Sequence, residues 1–147
     1  MKQLMVMCAL LFSMYGTEYK AVFDCSSKNF DYLQSRISLI EKTVSMIQAK
    51  KDTTDFTLLI HSGCTPISAV IPENLVKPSE VGFITNIQSK LEVLHKKYKV
   101  KILLCELAMN NADMEKDEVL SFITFTPNSF IDAIGLQNRG FAMMTFK

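Results

Sequence analysis

The sequence predicts an α/β domain: a three-layer α/β/α sandwich on a mostly parallel sheet of about five strands. Three observations predict it. Stretches of strand character alternate with stretches of helical periodicity throughout the chain after residue 16. The connections between successive strands are long enough to hold a helix, and a tight hairpin cannot return a strand to a parallel neighbour. The third strand, Val100–Cys105, runs apolar without a break after Lys101, the pattern of a strand covered on both faces.

Residues 1–16 read as a secretory signal peptide. Lys2 precedes an uncharged run from Leu4 to Met14, too short for a lone bilayer span of ~20 apolar residues. It suits a signal-peptide apolar region of roughly 7–15 residues. An ordinary buried strand over residues 4–12 is the competing reading. Cys8 lacks the small residues that precede a lipidated cysteine. Residues 17–147 then form a single domain, periplasmic or secreted, with no stable membrane insertion once the leader is removed. A retained leader would instead leave the protein cytoplasmic.

The first strand is Tyr19–Cys25, and Ser26, Ser27 and Asn29 offer caps for a helix. Phe30, Leu33, Ile37, Ile40, Val44 and Ile47 give that helix one apolar stripe, and Lys50 and Lys51 stand at its negative end. The second strand covers 55–61. Gly63, Pro66, Pro72 and Pro78 keep 62–78 irregular. Ser79 is the expected cap of a second helix, with Val81, Ile84, Ile87, Leu91, Leu94 and Tyr98 buried. After the third strand, 106–111 reads as a turn and 113–122 as a short helix whose acidic first residues suit the positive end of the dipole. A fourth strand over 123–126 leads to Pro127 as the first residue of a last helix, capped by Thr126, with Phe130, Ile131, Ile134 and Leu136 as its apolar face. Gly140 suits the position after that helix, and 141–146 closes the chain as a strand.

Charge and glycine placement exclude several functions. Lys plus Arg number 16 and Asp plus Glu 15, with no long block of one sign, so no nucleic-acid footprint is present. The turn after the first strand, Asp24-Cys-Ser-Ser-Lys-Asn29, has no glycine to bring a backbone against pyrophosphate. Neither a dinucleotide nor any other organic cofactor is expected.

What remains is sulfur. Cys25, Cys64 and Cys105 each sit at or just past the end of a predicted strand, and His61 ends the second. Ligands bind in the crevice beyond the carboxyl ends of parallel strands, so these residues are expected along one edge of one sheet. An odd thiol count in an oxidising compartment leaves at least one unpaired. Cys105 is the candidate catalytic thiol, since turn amides can lower its pKa, and a small buried hydrophobe is the alternative. Glu106 would oppose reactivity unless it points away. Cys64 reads as a resolving thiol or a partner for Cys25, which could also pack beneath the first helix. His61 reads as a base, a donor to an anion, or a structural residue. Cys25, His61, Cys64 and Cys105 are ligands of types zinc accepts, but their spacing is unlike a zinc ribbon, so no metal site is predicted. His95, among lysines, is expected to face solvent. The nine methionines are dispersed and read as packing.

Several segments together resemble the DsrE/DsrF-like family, which includes the YchN-like and TusD-like sulfur-relay proteins. They are Tyr19-Lys-Ala-Val-Phe-Asp24, Leu58-Leu-Ile-His61-Ser-Gly63, Val100-Lys-Ile-Leu-Leu-Cys105-Glu-Leu-Ala-Met109, Thr126-Pro-Asn and Gln137-Asn-Arg-Gly140-Phe-Ala. Secreted members that are similar to this chain keep a leader directly before the first strand. The resemblance implies a homo-oligomer, a trimer or hexamer, and a Cys105 able to carry persulfide sulfur. The expected function is therefore a sulfane-sulfur carrier, at most a sulfurtransferase, with sulfur donor and acceptor proteins or small sulfane compounds as partners. The alternative is a non-catalytic oligomeric module for a small ligand or protein, in which Cys25 bonds Cys64 and Cys105 is packing.

Overall fold

The structure, a computed structural model, describes residues 16–147, so all of the expected leader except Gly16 lies outside the described residues. Five parallel strands form one sheet: β1 (Glu18–Cys25), β2 (Thr53–Ile60), β3 (Lys101–Cys105), β4 (Thr124–Thr126) and β5 (Ala142–Phe146), in the order β4-β3-β2-β1-β5. β1 and β2 pair from Glu18↔Thr53 to Cys25↔Ile60, and β2 pairs β3 from Thr57↔Lys101 to Ile60↔Leu104. The ends of β1, β2 and β3 therefore stand side by side.

Helices cover both faces of the sheet. Helix α1 (Phe30–Ala49) starts where the Asn29 side chain accepts the Tyr32 N–H at 3.0 Å. Helix α2 (Pro78–Lys96) starts one residue before the expected cap: Pro78 opens it, and the Glu80 carboxylate accepts the Lys77 N–H at 3.1 Å. Leu33, Ile37 and Ile40 of α1 and Ile84, Ile87 and Leu91 of α2 pack on Phe23, Phe56, Leu58 and Ile60 in the larger core. Alternation along the strands sends Val22 and Leu59 to the other face. There they meet Ala133 and Leu136 of helix α4 (Ser129–Asn138) and Phe141.

Three further expectations about the helices are corrected. Helix α3 (Glu106–Asn111) begins directly after β3, in place of the expected turn. Residues 113–122 hold only a 3₁₀ turn, Lys116–Glu118, in place of the expected short helix. Asp113 at φ 51° ends the right-handed run, and the segment instead bonds the loop after β2, through Val70 N–H to Glu118 O at 2.7 Å and Leu120 N–H to Ser68 O at 2.9 Å.

The third correction concerns α4. Its cap is Asn128, two residues past the expected Thr126, whose hydroxyl bonds Asp132. The small residues Ser129 and Ala133, with Leu136, face the sheet, while Phe130, Ile131 and Ile134 stand 60–68% exposed. Gly140, at φ 84°, closes the helix, as only glycine does without strain. His95 is half-buried and stacks on Phe122 at 5.6 Å instead of facing solvent.

Candidate functional site

The edge formed by the ends of β1, β2 and β3 treats its three cysteines in two ways. After β2 the chain passes His61, in extended backbone, into Ser62 at φ 49° and a 3₁₀ turn over Ser62–Ser68. Gly63 lies against the turn after β1: a Cβ on it would stand 2.7 Å from the Ser26 carbonyl oxygen and 2.8 Å from the Ser27 carbonyl carbon. The turn swings Cys64 inward onto Cys25, and the two form a disulfide with Cα atoms 5.8 Å apart. Both are 0% exposed.

Cys105 remains a free thiol. It ends β3 and is the residue from which α3 springs, 4% exposed. It lines a cleft of about 300 Å³ shared with His61, Ser62, Asn128, Ser129 and Phe130. Burial pushes the Cys105 thiol up, but the backbone amides of Ser129, Ala108 and Leu107 and the Ser129 hydroxyl more than reverse this, leaving it below its ordinary value. The Ser129 N–H reaches Sγ at 3.5 Å. Glu106 is engaged by Lys116 at 2.5 Å and lines no part of the cleft.

Both ring nitrogens of His61 are occupied. Nε2 stands 2.6 Å from the Asp24 carboxylate and Nδ1 3.0 Å from the Ser62 hydroxyl. A carboxylate only accepts, so Nε2 carries the proton. In the neutral ring Nδ1 then accepts from Ser62 Oγ. Through this chain Asp24 and His61 reach the exposed Ser62 hydroxyl at the cleft. The same trio would serve a nucleophilic serine only with free amides to hold an oxyanion. At this turn they are spent: Gly63 N–H bonds Ser26 O at 3.1 Å and Cys64 N–H bonds His61 O at 3.0 Å. The arrangement suits proton movement beside a thiolate better than acyl transfer.

Of the predicted site residues, the structure brings His61 and Cys105 to one cleft. It does not bring Cys25 and Cys64 there: joined to each other beneath the surface, they are neither crevice-lining nor free to resolve. The zinc alternative is likewise not assembled, since two of its sulfurs are bonded together. Sequence reasoning missed Asp24, Ser62, Asn128 and Ser129. Asp24 alone carried a signal, an acid set in an apolar strand beside a terminal cysteine.

A sequence model of the DsrE/DsrF-like family matches residues 73–146, half of the chain, a span that includes Cys105 and Ser129. The chain belongs to the DsrE/DsrF-like family. It is 36% identical over 148 residues to an uncharacterized protein of Aquifex aeolicus (strain VF5), covering 99% of this chain and 64% of that protein's length. The fold is similar to a protein of unknown function, MTH1491, from Methanobacterium thermoautotrophicum, with a TM-score of 0.62 at 16% identity over 87% of this chain and 99% of that one. At that identity the likeness speaks for fold alone.

Proposed function

We propose that this DsrE/DsrF-like protein carries sulfane sulfur on Cys105, in the manner of the YchN-like and TusD-like relay proteins it resembles. The observation that carries the reading is a free strand-end thiol, lowered in pKa by converging amides, in an open cleft. The Cys105 thiolate attacks the outer sulfur of a donor R–S–SH. The Sγ–S bond forms, the donor S–S bond breaks, and R–S⁻ leaves with the electron pair and takes up a proton. An acceptor thiolate then attacks the outer sulfur of the Cys105 persulfide and releases the Cys105 thiolate. The Asp24–His61–Ser62 chain takes and returns the protons of these steps through the Ser62 hydroxyl. Intact-mass measurement after exposure to a sulfane donor tests the reading. A one-sulfur gain on Cys105 is expected, and its absence while a small control thiol gains sulfur rejects the carrier.

The protein works outside the cytoplasm as a homo-oligomer, in the same proposal. The Cys25–Cys64 disulfide supports the location, because disulfides persist in oxidising compartments. Phe130, Ile131 and Ile134, exposed beside the cleft, support the assembly, because contiguous exposed apolar side chains commonly mark contact surfaces. Fractionation finding the protein in the cytoplasm with both thiols reduced would contradict the first point. A monomer by sedimentation at micromolar concentration would contradict the second.

A further inference from the structure

We infer that the cleft selects its sulfur donor by charge: it takes an uncharged carrier, a protonated persulfide or polysulfane on an apolar organic group, in preference to thiosulfate or another sulfur oxyanion. The inference rests on the carrier reading of Cys105 and narrows its substrate class.

The composition of the walls carries it. Among the described residues, no lysine, arginine, aspartate or glutamate lines the cleft. Its one titratable side chain besides Cys105 is His61, whose ring already holds the Asp24 carboxylate at 2.6 Å, so a cationic ring would be countered from within the protein. Four of the backbone amides at the cleft are also committed. Those of Ser129, Ala108 and Leu107 are directed at the Cys105 sulfur itself. The Phe130 N–H donates to Asn128 Oδ1 at 3.0 Å. Leu107, Ala108, Ala112 and Phe130 present hydrocarbon, and the side-chain amides of Asn111 and Asn128 offer uncharged hydrogen bonds.

A dianion entering this space would give up water without a cation in return, and would close on a thiolate of its own sign. A neutral donor loses little and gains the apolar wall. The protonated persulfide is also the electrophilic form, so a cleft without a cation holds the donor in the state that the Cys105 thiolate attacks. Overall charge does not supply this selection. The full sequence carries a formal +1, and that excess matches Lys2 of the expected leader, while the nearby Glu106 and Lys116 compensate each other. The discrimination is local.

The test uses the whole protein with its disulfide intact and two methanethiosulfonate reagents, one bearing a neutral methyl group and one a sulfonatoethyl group. Rates at Cys105, resolved by peptide mass, are each divided by the rate for 2-mercaptoethanol. The normalised neutral rate is expected to exceed the anionic rate by about tenfold or more. Equal rates, or a faster anionic reagent, overturn the inference, as does failure of both reagents to label the native protein. Asn111→Lys and, separately, Leu107→Arg place a cation at exposed positions on the cleft wall, where folding tolerates it. Each is expected to raise the anionic-to-neutral ratio severalfold, and an unchanged ratio in both overturns the inference. Failure of the carrier reading is distinguishable. If neither thiosulfate nor an alkyl hydropersulfide adds sulfur to Cys105, the carrier falls while the reagent ratio still reports the charge preference of the cleft.

Discussion

The two halves of the sheet's carboxyl edge have the same origin and opposite fates. At the ends of β1 and β2, Cys25 and Cys64 are sealed from solvent and bonded together; at the end of β3, Cys105 is free and lines a cleft. Strand-end position is common to both, so it does not decide which thiol stays free. The path of the backbone beyond the strand decides it. After β2, Ser62 in the left-handed region and the close-fitting Gly63 turn the chain inward and put the sulfur in the core. After β3, helix α3 starts at once, and its first amides, joined by that of Ser129, converge on sulfur. One half stores stability in a covalent tie. The other keeps a buried thiol free at the wall of a cleft.

This contrast can be broken or sharpened by substitution. The largest effect is expected from Cys105→Ala, which abolishes sulfur uptake by intact mass of the leader-free protein, since among the described residues the other cysteines are joined in the disulfide. Uptake that persists would move the chemistry to the other half. The double variant Cys25→Ala/Cys64→Ala should lose ~2–4 kcal/mol in denaturant unfolding, the usual effect of opening a loop of this size. Cys105 should remain reactive in it, and a parallel loss of that reactivity would show the halves to be coupled. Gly63→Ala should cost ~1–3 kcal/mol, because the new methyl meets backbone that must shift. Ser62→Ala should slow sulfur transfer roughly tenfold or more while slowing simple alkylation of Cys105 less, because alkylation releases no leaving group that needs a proton. The smallest effect is expected from Ile131→Ser/Ile134→Ser. Monomer stability should change by no more than about 0.5 kcal/mol, as for surface positions, while sedimentation shifts toward the monomer.

Most of the scaffold is legible in the sequence, and the reason is periodicity. The stripe from Phe30 to Val44 and the run Ile102–Cys105 each specify one element under any packing, and the parallel order follows from the helix-length crossovers. The errors share a cause. Periodicity alone gives helix α4 its large apolar residues as the buried side, yet the sheet face over Val22 and Leu59 takes Ala133 and Leu136. The acidic start of residues 113–122 points to a helix, yet their backbone bonds the loop after β2. Both outcomes depend on distant partners that a local window does not contain. The candidate cleft is legible in part: strand ends place His61 and Cys105 at one edge, whereas the contact of Asp24 with His61 spans 37 residues and exists only once β1 and β2 lie in register. The pairing of Cys25 with Cys64 is one of several options until that register sets their distance.

The measurement that bears most directly on the account is the pH dependence of Cys105 labelling in the native protein by a small neutral electrophile. A lowered thiol pKa means that thiolate accumulates earlier as pH rises. The rate should therefore climb and level off with a midpoint below that of a small model thiol measured alongside, and with Cys25 and Cys64 unlabelled. A midpoint at or above the small-thiol value, or labelling that begins only when the chain unfolds, would contradict it.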